Sequence, residues 1–264
     1  MDWLQAIILG LIQGLTEFLP VSSSGHLIIG KEILGIEATE NVAFEIVVHA
    51  ATVLSTITIL WREIVQLFAQ FFKFKWNEET QYICKILISM IPVFVVGIFF
   101  KDYVEGFFGQ GILLVGIMLL VTALLLALTH FVKFKEYKEV GYGTAFIIGL
   151  AQAVAVLPGL SRSGSTIATG LLCGVKKESV AQFSFLMVII PILGECFLSL
   201  VGGDFSADVT GISAVSLICG FIAAYASGLL ACKWMINLVK KANLIWFAVY
   251  CLIVGIVAIV FGCI

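Results

Sequence analysis

Two short polar segments interrupt hydrophobic stretches of this chain and carry most of its reactive side chains. The first is Glu17-Phe18-Leu19-Pro20-Val21-Ser22-Ser23-Ser24-Gly25-His26. The second is Pro158-Gly159-Leu160-Ser161-Arg162-Ser163-Gly164-Ser165-Thr166. A carboxylate, an imidazole, a guanidinium and a cluster of hydroxyls are costly inside a bilayer, and ionisable groups there mark functional sites. Together the two segments supply a base, a candidate nucleophile and an anion clamp. Phosphoryl chemistry at a membrane requires those three things.

Glu17 lies four residues after Gln13, so both share one helix face ahead of the Pro20 break. Its carboxylate could deprotonate a hydroxyl, orient an imidazole or bind a divalent cation; it could also cap a neighbouring helix. Ser22, Ser23 and Ser24 precede a helix start near Gly25 and could cap it. The free amides of that start suit an anion. One serine could be a nucleophile, with His26 or Glu17 close enough to activate it. His26 could instead attack phosphorus itself, or serve only structurally. Arg162 at membrane depth needs an anion, and its planar fork matches phosphate. An ion pair with Glu17 is the rival reading, and the two are compatible if substrate enters between them. Ser161, Ser163, Ser165 and Thr166 surround Arg162 with hydroxyls. Glu45 and His49, spaced i, i+4, could support the site or simply pair with each other. Glu195 reads as a polar contact inside the bundle, and Glu78, Glu79, Glu136 and Glu139 as solvated loop residues.

The frame that must position these groups is a membrane one. Of 264 residues, 61% are hydrophobic and only 12% charged, against roughly 25% charged in soluble domains. The net charge of -2 comes with no basic tail, so nucleic acid is not an expected partner. Met1-Asp2-Trp3 lacks a charged n-region, and no cleaved signal peptide is expected. The seven cysteines contain no C-x-x-C pair and read as small buried hydrophobes. No Walker A, G-x-S-x-G or H-E-x-x-H pattern occurs.

A spanning helix needs about 20 apolar residues. Six segments qualify, near 41–61, 82–100, 111–132, 180–201, 211–235 and 243–263. Regions 3–36 and 143–175 are each broken by a polar segment. Each reads as two half-helices that dip in and return; one long kinked span is the alternative. Re-entry places twelve of the fifteen basic residues on one side, including Arg62, Lys73, Lys75, Lys85, Lys133, Lys135, Lys138, Lys176, Lys177, Lys233, Lys240 and Lys241. Lys31 and Lys101 fall on the other, beside loop 202–210 with Asp204 and Asp208. The positive-inside rule therefore favours re-entry. The five tryptophans mostly lie at segment ends, as interface anchors do.

The broken regions also resemble each other. Ile8-Leu9-Gly10-Leu11-Ile12-Gln13 corresponds to Ile147-Ile148-Gly149-Leu150-Ala151-Gln152, and Ser22, Ser24, Gly25 and Phe44 recur as Ser161, Ser163, Gly164 and Phe183, all 139 residues on. The expected architecture is one all-α membrane domain with an inverted repeat, its halves 1–132 and 143–264. Each half holds one re-entrant region and three spans, and the re-entrant tips meet at the bilayer midplane. Transporters share that architecture, so fold alone does not choose between transport and catalysis.

The chain resembles the undecaprenyl pyrophosphate phosphatase family, also called bacitracin-resistance proteins. The first family motif appears as Gln13 through His26 and the second as Pro158 through Thr166. The resemblance extends over the whole chain. It implies a bacterial plasma-membrane enzyme that hydrolyses undecaprenyl diphosphate to undecaprenyl phosphate and inorganic phosphate, recycling a cell-wall lipid carrier, with its active site open to the outer face. It implies bacitracin resistance on overproduction. By motif, Glu17, Ser23, His26, Ser161, Arg162 and Thr166 would be functional. Catalysis falls to Glu17, Ser23, His26 and Arg162, and substrate binding to Gln13, Ser22, Ser161, Ser163 and Thr166. A divalent cation, Mg²⁺, is implied as cofactor with Glu17 as a candidate ligand; where other members carry a second Glu, this chain has Gln13 and one charged ligand fewer. The expected mechanism is attack by Ser23 with Glu17 or His26 as base, with attack by His26 or by water as variants. A polyprenyl-phosphate transporter is the alternative function. Helix-face glycines could serve a homodimer or internal packing alone.

Overall fold

A computed structural model of the chain describes residues 1–36, 42–108, 110–132, 138–202, 212–241 and 244–263. The helices are α1 (Trp3–Thr16), α2 (Ser23–Ile33), α3 (Val42–Ile59), α4 (Trp61–Phe71), α5 (Glu78–Phe99), α6 (Lys101–Phe108), α7 (Gly111–Phe131), α8 (Tyr142–Val154), α9 (Arg162–Leu172), α10 (Lys177–Gly202), α11 (Ala214–Lys241) and α12 (Ile245–Gly262). The chain is an all-α, multi-pass membrane protein. Helices α5, α7, α10, α11 and α12 are long and apolar enough to span a bilayer, and α3 joins them when taken with α4.

The two polar segments break their helices where expected. α1 starts on a capping box, Asp2 accepting from the Gln5 amide and Gln5 returning the bond. It stops at Thr16, before Pro20, which has no amide donor. Ser22 restarts the chain as the cap of α2, its hydroxyl 3.2 Å from the Gly25 amide. Ser161 caps α9 in the same way, 3.0 Å from the Gly164 amide. At 1.5 Å per residue, α1 reaches only about 21 Å, short of a roughly 30 Å hydrocarbon core. The α1–α2 and α8–α9 pairs are therefore hairpins of half-helices. Limbs of each hairpin pack on one another.

The helix partners come in matched sets. α1 packs on α11, and its counterpart α8 packs on α5. α3 packs on α11, and α10 on α5. α7 also packs along α12, α3 on α10, and α9 on both α7 and α10. Close backbone approach allows the hairpins to seat. A methyl added at Gly10 would lie 2.4 Å from the Gly220 carbonyl oxygen, and one at Gly149 only 2.3 Å from that of Ser89. Glycines of this kind are spent on contacts inside the chain, as in other tightly packed membrane helices. Phe44 and Phe183, related by the 139-residue offset, are both fully buried.

Several expectations need correction. α3 does not end at a loop but turns by 76° into α4, a helix with no buried residue. Its pattern of exposed Trp61, Val65 and Phe68 beside Arg62 and Glu63 is amphipathic rather than spanning, which the apolar-run criterion overlooks. α5 starts at Glu78, earlier than 82, because Asn77 caps it by accepting from the Thr80 amide. α11 runs to Lys241, past the apolar stretch, because no Pro or Gly follows Gly228 within it. Lys31 is not an outer-loop charge: it is buried in α2 and pairs with Glu45 of α3. Glu139 is exposed but partnered, by Lys176 at 2.8 Å and Ser179 at 2.5 Å, and those hydrogen bonds hold its carboxyl below the usual carboxylate range. Lys133, Lys135, Glu136, Asp204 and Asp208 lie outside the described residues, as do the side chains of Lys101, Lys240 and Lys241. The five tryptophans are all more than half exposed, as lipid-interface anchors require. All seven cysteines are free thiols.

Candidate active site

The tips of the two hairpins touch, and the polar residues converge there. Ser22 adopts φ 70°, a conformation rare for a residue with a side chain. Such strain costs about 1–3 kcal/mol and collects at functional sites. Here it turns the chain sharply enough that Ser23, the first helical residue, faces back toward Glu17. Gly159, at φ 88°, lets the second tip press on α7; a methyl there would lie 2.7 Å from the Val115 Cα. The tips are stitched together by the Ser163 hydroxyl, which donates to the Leu19 carbonyl at 3.0 Å. Thr122 of α7 supports the second tip by accepting from the Ser161 amide at 3.1 Å.

Glu17 is the hub. Its side chain is only 7% exposed, and each carboxylate oxygen has its own set of partners. Oε1 accepts from Arg162 Nη2 at 3.1 Å. Oε2 accepts from the Ser23 hydroxyl at 2.5 Å and from the Gln13 amide at 2.8 Å. The charge is thereby matched by a guanidinium and two hydrogen bonds, which a carboxylate so enclosed needs. The Arg162–Glu17 ion pair is real, yet it uses one N–H of a group that carries five. Ser23 is hydrogen-bonded directly to a carboxylate, the arrangement that activates a weak hydroxyl nucleophile.

His26 is turned elsewhere. Its Nδ1 is 2.8 Å from the Ser22 carbonyl, and its Nε2 is 2.8 Å from the Tyr250 hydroxyl of α12, with the two rings stacked. Both ring nitrogens are thus engaged away from Ser23, and the side chain hydrogen-bonded to Ser23 is Glu17. Thr166 is buried, its hydroxyl bonded to the Arg162 carbonyl at 2.9 Å and to Ser184 at 2.5 Å. It shapes the first turn of α9 that presents Arg162. Ser22 and Ser161 are caps, with their hydroxyls near Ser24 and Ser163 at 3.3 and 3.4 Å.

Three neighbours were not singled out from sequence or were left undecided. Tyr250 lies in an apolar run and carries no local signal. Ser184 stands 139 residues after Glu45, so the repeat could have flagged it. His49 does not pair with the Glu45 carboxylate, which is taken by Lys31. It faces Glu17 instead.

Two cavities flank the Glu17–Arg162 pair. One of about 200 Å³ is walled by Ser22, Ser23, Ser24, Ser161 and Ser163 with Glu17 and Arg162. The other, about 390 Å³, shares Glu17, Arg162 and Ser163 and adds Thr52, Thr56, Gln152, Thr166 and Ser184 beside Phe18, Phe185 and Ile192. A hydroxyl-lined chamber with one cation suits a phosphate, and the mixed chamber combines polar groups with apolar wall.

The family model described as bacitracin resistance protein BacA matches residues 6–257. The chain belongs to this family. Proteins named undecaprenyl-diphosphatase are its relatives: one from Bacteroides thetaiotaomicron is 61% identical over 261 residues, covering 98% of this chain and 99% of that protein. One from Bacteroides fragilis is 62% identical over 263 residues, covering 98% of each. One from Methanobrevibacter smithii is 38% identical over 272 residues, covering 97% and 96%. The residues described above, from Gln13 to Tyr250, fall inside the matched region.

The divalent cation implied for the family was tested against the donors present. Among the described residues no group of three or more His, Cys, Asp or Glu could hold a metal ion. Glu17 is a single carboxylate already facing Arg162, and Gln13 turns its amide donor toward it. Mg²⁺ needs an octahedral oxygen shell. Among the described residues of the site, Glu17 is the carboxylate that could contribute a ligand, and substrate phosphates and water would have to supply the rest of the shell.

Proposed function

We propose that this protein hydrolyses undecaprenyl diphosphate to undecaprenyl phosphate and inorganic phosphate in a bacterial plasma membrane, at a site opening to the outer face. Releasing the lipid carrier for further cell-wall synthesis would confer bacitracin resistance on cells that overproduce it. The observation that carries the reading is the Ser23–Glu17–Arg162 array at the meeting of two half-helix tips. It joins a candidate nucleophile, its base and a phosphate-matching cation around one cavity.

The diphosphate enters between Glu17 and Arg162, and the prenyl tail stays in lipid. Arg162 turns its unused N–H groups to the phosphate oxygens, and the first-turn amides of α2 and α9 add dipoles of the same sign. Ser23 Oγ attacks the terminal phosphorus as Glu17 takes its proton. The bond from phosphorus to the bridging oxygen breaks, and lipid phosphate leaves with the charge that Arg162 stabilises. Glu17 passes the proton taken from Ser23 to the departing lipid phosphate; it then takes a proton from the water that attacks the phosphoserine and returns it to the departing Ser23 oxygen, and inorganic phosphate is released. Net, one water is consumed and one anhydride bond is broken. No step passes through a metal ion; a dication would arrive chelated by the diphosphate itself.

The test is to quench the enzyme during turnover of substrate labelled at the terminal phosphate. Label stable to acid and lost in Ser23→Ala is expected. Acid-labile label retained in Ser23→Ala and lost in His26→Ala would transfer the nucleophile to His26. Turnover without any labelled enzyme would favour direct attack by water.

A further inference from the structure

Glu17 has two partners that the reaction above leaves unused, Gln13 and His49. His49 of α3 places Nε2 3.7 Å from Glu17 Oε2, the same oxygen that accepts from Ser23. The orientation of the ring is fixed from behind. Nδ1 lies 2.8 Å from the Glu45 carbonyl oxygen, and since a carbonyl only accepts, Nδ1 carries the hydrogen. The opposite nitrogen is thereby aimed at Glu17. Glu45 is itself anchored, its carboxylate paired with buried Lys31 of α2. The His49 carbonyl accepts from Thr52 at 2.8 Å, and Thr52 lines the larger cavity. A continuous set of contacts therefore runs from α2 through α3 to the base.

We propose that His49 is a positioning residue that holds Glu17 Oε2 on Ser23 while Arg162 is engaged by substrate. The inference rests on the reading of Glu17 as the base for Ser23. The terminal torsion of a glutamate is soft, so hydrogen bonds rather than rotamer preference set where its oxygens point. In the free enzyme Arg162 pins Oε1. A diphosphate competes for that guanidinium and removes the pin just when the carboxylate must be aligned. Gln13 and His49 then remain to hold Oε2. Glu17 would be held from three helices: Gln13 on α1, Ser23 on α2 and His49 on α3. With Nδ1–H given to the Glu45 carbonyl, Nε2 holds Oε2 only when it carries a hydrogen as well. A separation of 3.7 Å is long for a hydrogen bond, and contacts of this kind tighten when substrate arrives.

The experiment compares His49→Leu, His49→Asn and His49→Gln with wild type in detergent, measuring kcat, KM and thermal unfolding. Losing alignment should forfeit part of the 10²–10⁴-fold effect of a general base, so a kcat decrease of about 10–100-fold with KM within about twofold is expected for Leu. His49→Asn is polar but too short to reach, and it should match Leu; it serves as the comparison if Leu fails to fold. His49→Gln extends an N–H donor to the same place and should restore most of kcat. Wild-type kcat in Leu or Asn would overturn the proposal, as would equal losses in Asn and Gln, which would assign the effect to ring packing. Full activity in Ser23→Ala would instead overturn the reading on which it rests, whatever the His49 variants do.

Discussion

Glu17→Gln should cost this enzyme at least about 10³-fold in kcat, within the 10²–10⁴ range of a lost general base and toward its upper part. The substitution preserves size but leaves one accepting oxygen where the carboxylate had two, so thermal unfolding is measured beside activity to show that the fold survives. What it removes is the ability to take a proton from Ser23. A serine hydroxyl ionises poorly, and in this site its only described base is the carboxylate 2.5 Å away. The neutral amide also deprives Arg162 of its counter-charge. The guanidinium is then free to bind diphosphate more tightly, so KM should stay level or fall while kcat collapses. A drop in kcat at unchanged KM marks an interaction made only in the transition state, and a lower KM beside it reports the tighter ground-state grip of the freed Arg162. Wild-type kcat in Glu17→Gln would reduce the Ser23–Glu17 bond to a structural cap.

Arg162→Lys should lower kcat/KM by about 10²–10³-fold, the typical cost of removing one preorganised donor from developing charge. Lysine keeps a positive charge near Glu17 but lacks the planar fork that grips two phosphate oxygens at once. The loss should therefore appear in KM as well as in kcat, unlike that of Glu17→Gln. Arg162→Ala should be more severe, for a second reason. It leaves an enclosed carboxylate without its cation, and breaking a buried pair costs about 3–5 kcal/mol. Comparing the two separates chemistry from stability: Lys should unfold near the wild-type temperature, and Ala well below it. Equal activity of Lys and wild type would show that Arg162 supplies charge alone.

Much of this was legible in the chain because polar groups in apolar surroundings are rare and costly. Pro20, Pro158 and the serine clusters mark both helix breaks, and the structure places them between α1 and α2 and between α8 and α9. Glu17, Ser23 and Arg162 could be named from their types, although 145 positions separate Glu17 from Arg162. The role of His26 was harder to read. Proximity in sequence to Ser23 suggests a base, while the ring nitrogens meet the Ser22 carbonyl and the hydroxyl of Tyr250, a partner 224 positions away. His49 was ambiguous because i, i+4 spacing fits pairing with Glu45 equally well; only the buried Lys31 on α2 removes that partner. α4 was missed because a helix lying across the end of a span has no long apolar run to announce it.

The most direct measurement is release of inorganic phosphate from undecaprenyl diphosphate by the purified protein in detergent, with Glu17→Gln beside it and EDTA and Mg²⁺ arms for both. Detergent abolishes any gradient or second leaflet, so transport cannot masquerade as turnover. The expected result is many turnovers by wild type, one phosphate per lipid, and near-silence from Glu17→Gln. Folded wild-type protein that binds the lipid but releases no phosphate in any arm would contradict hydrolysis and leave lipid transport as the function of this fold.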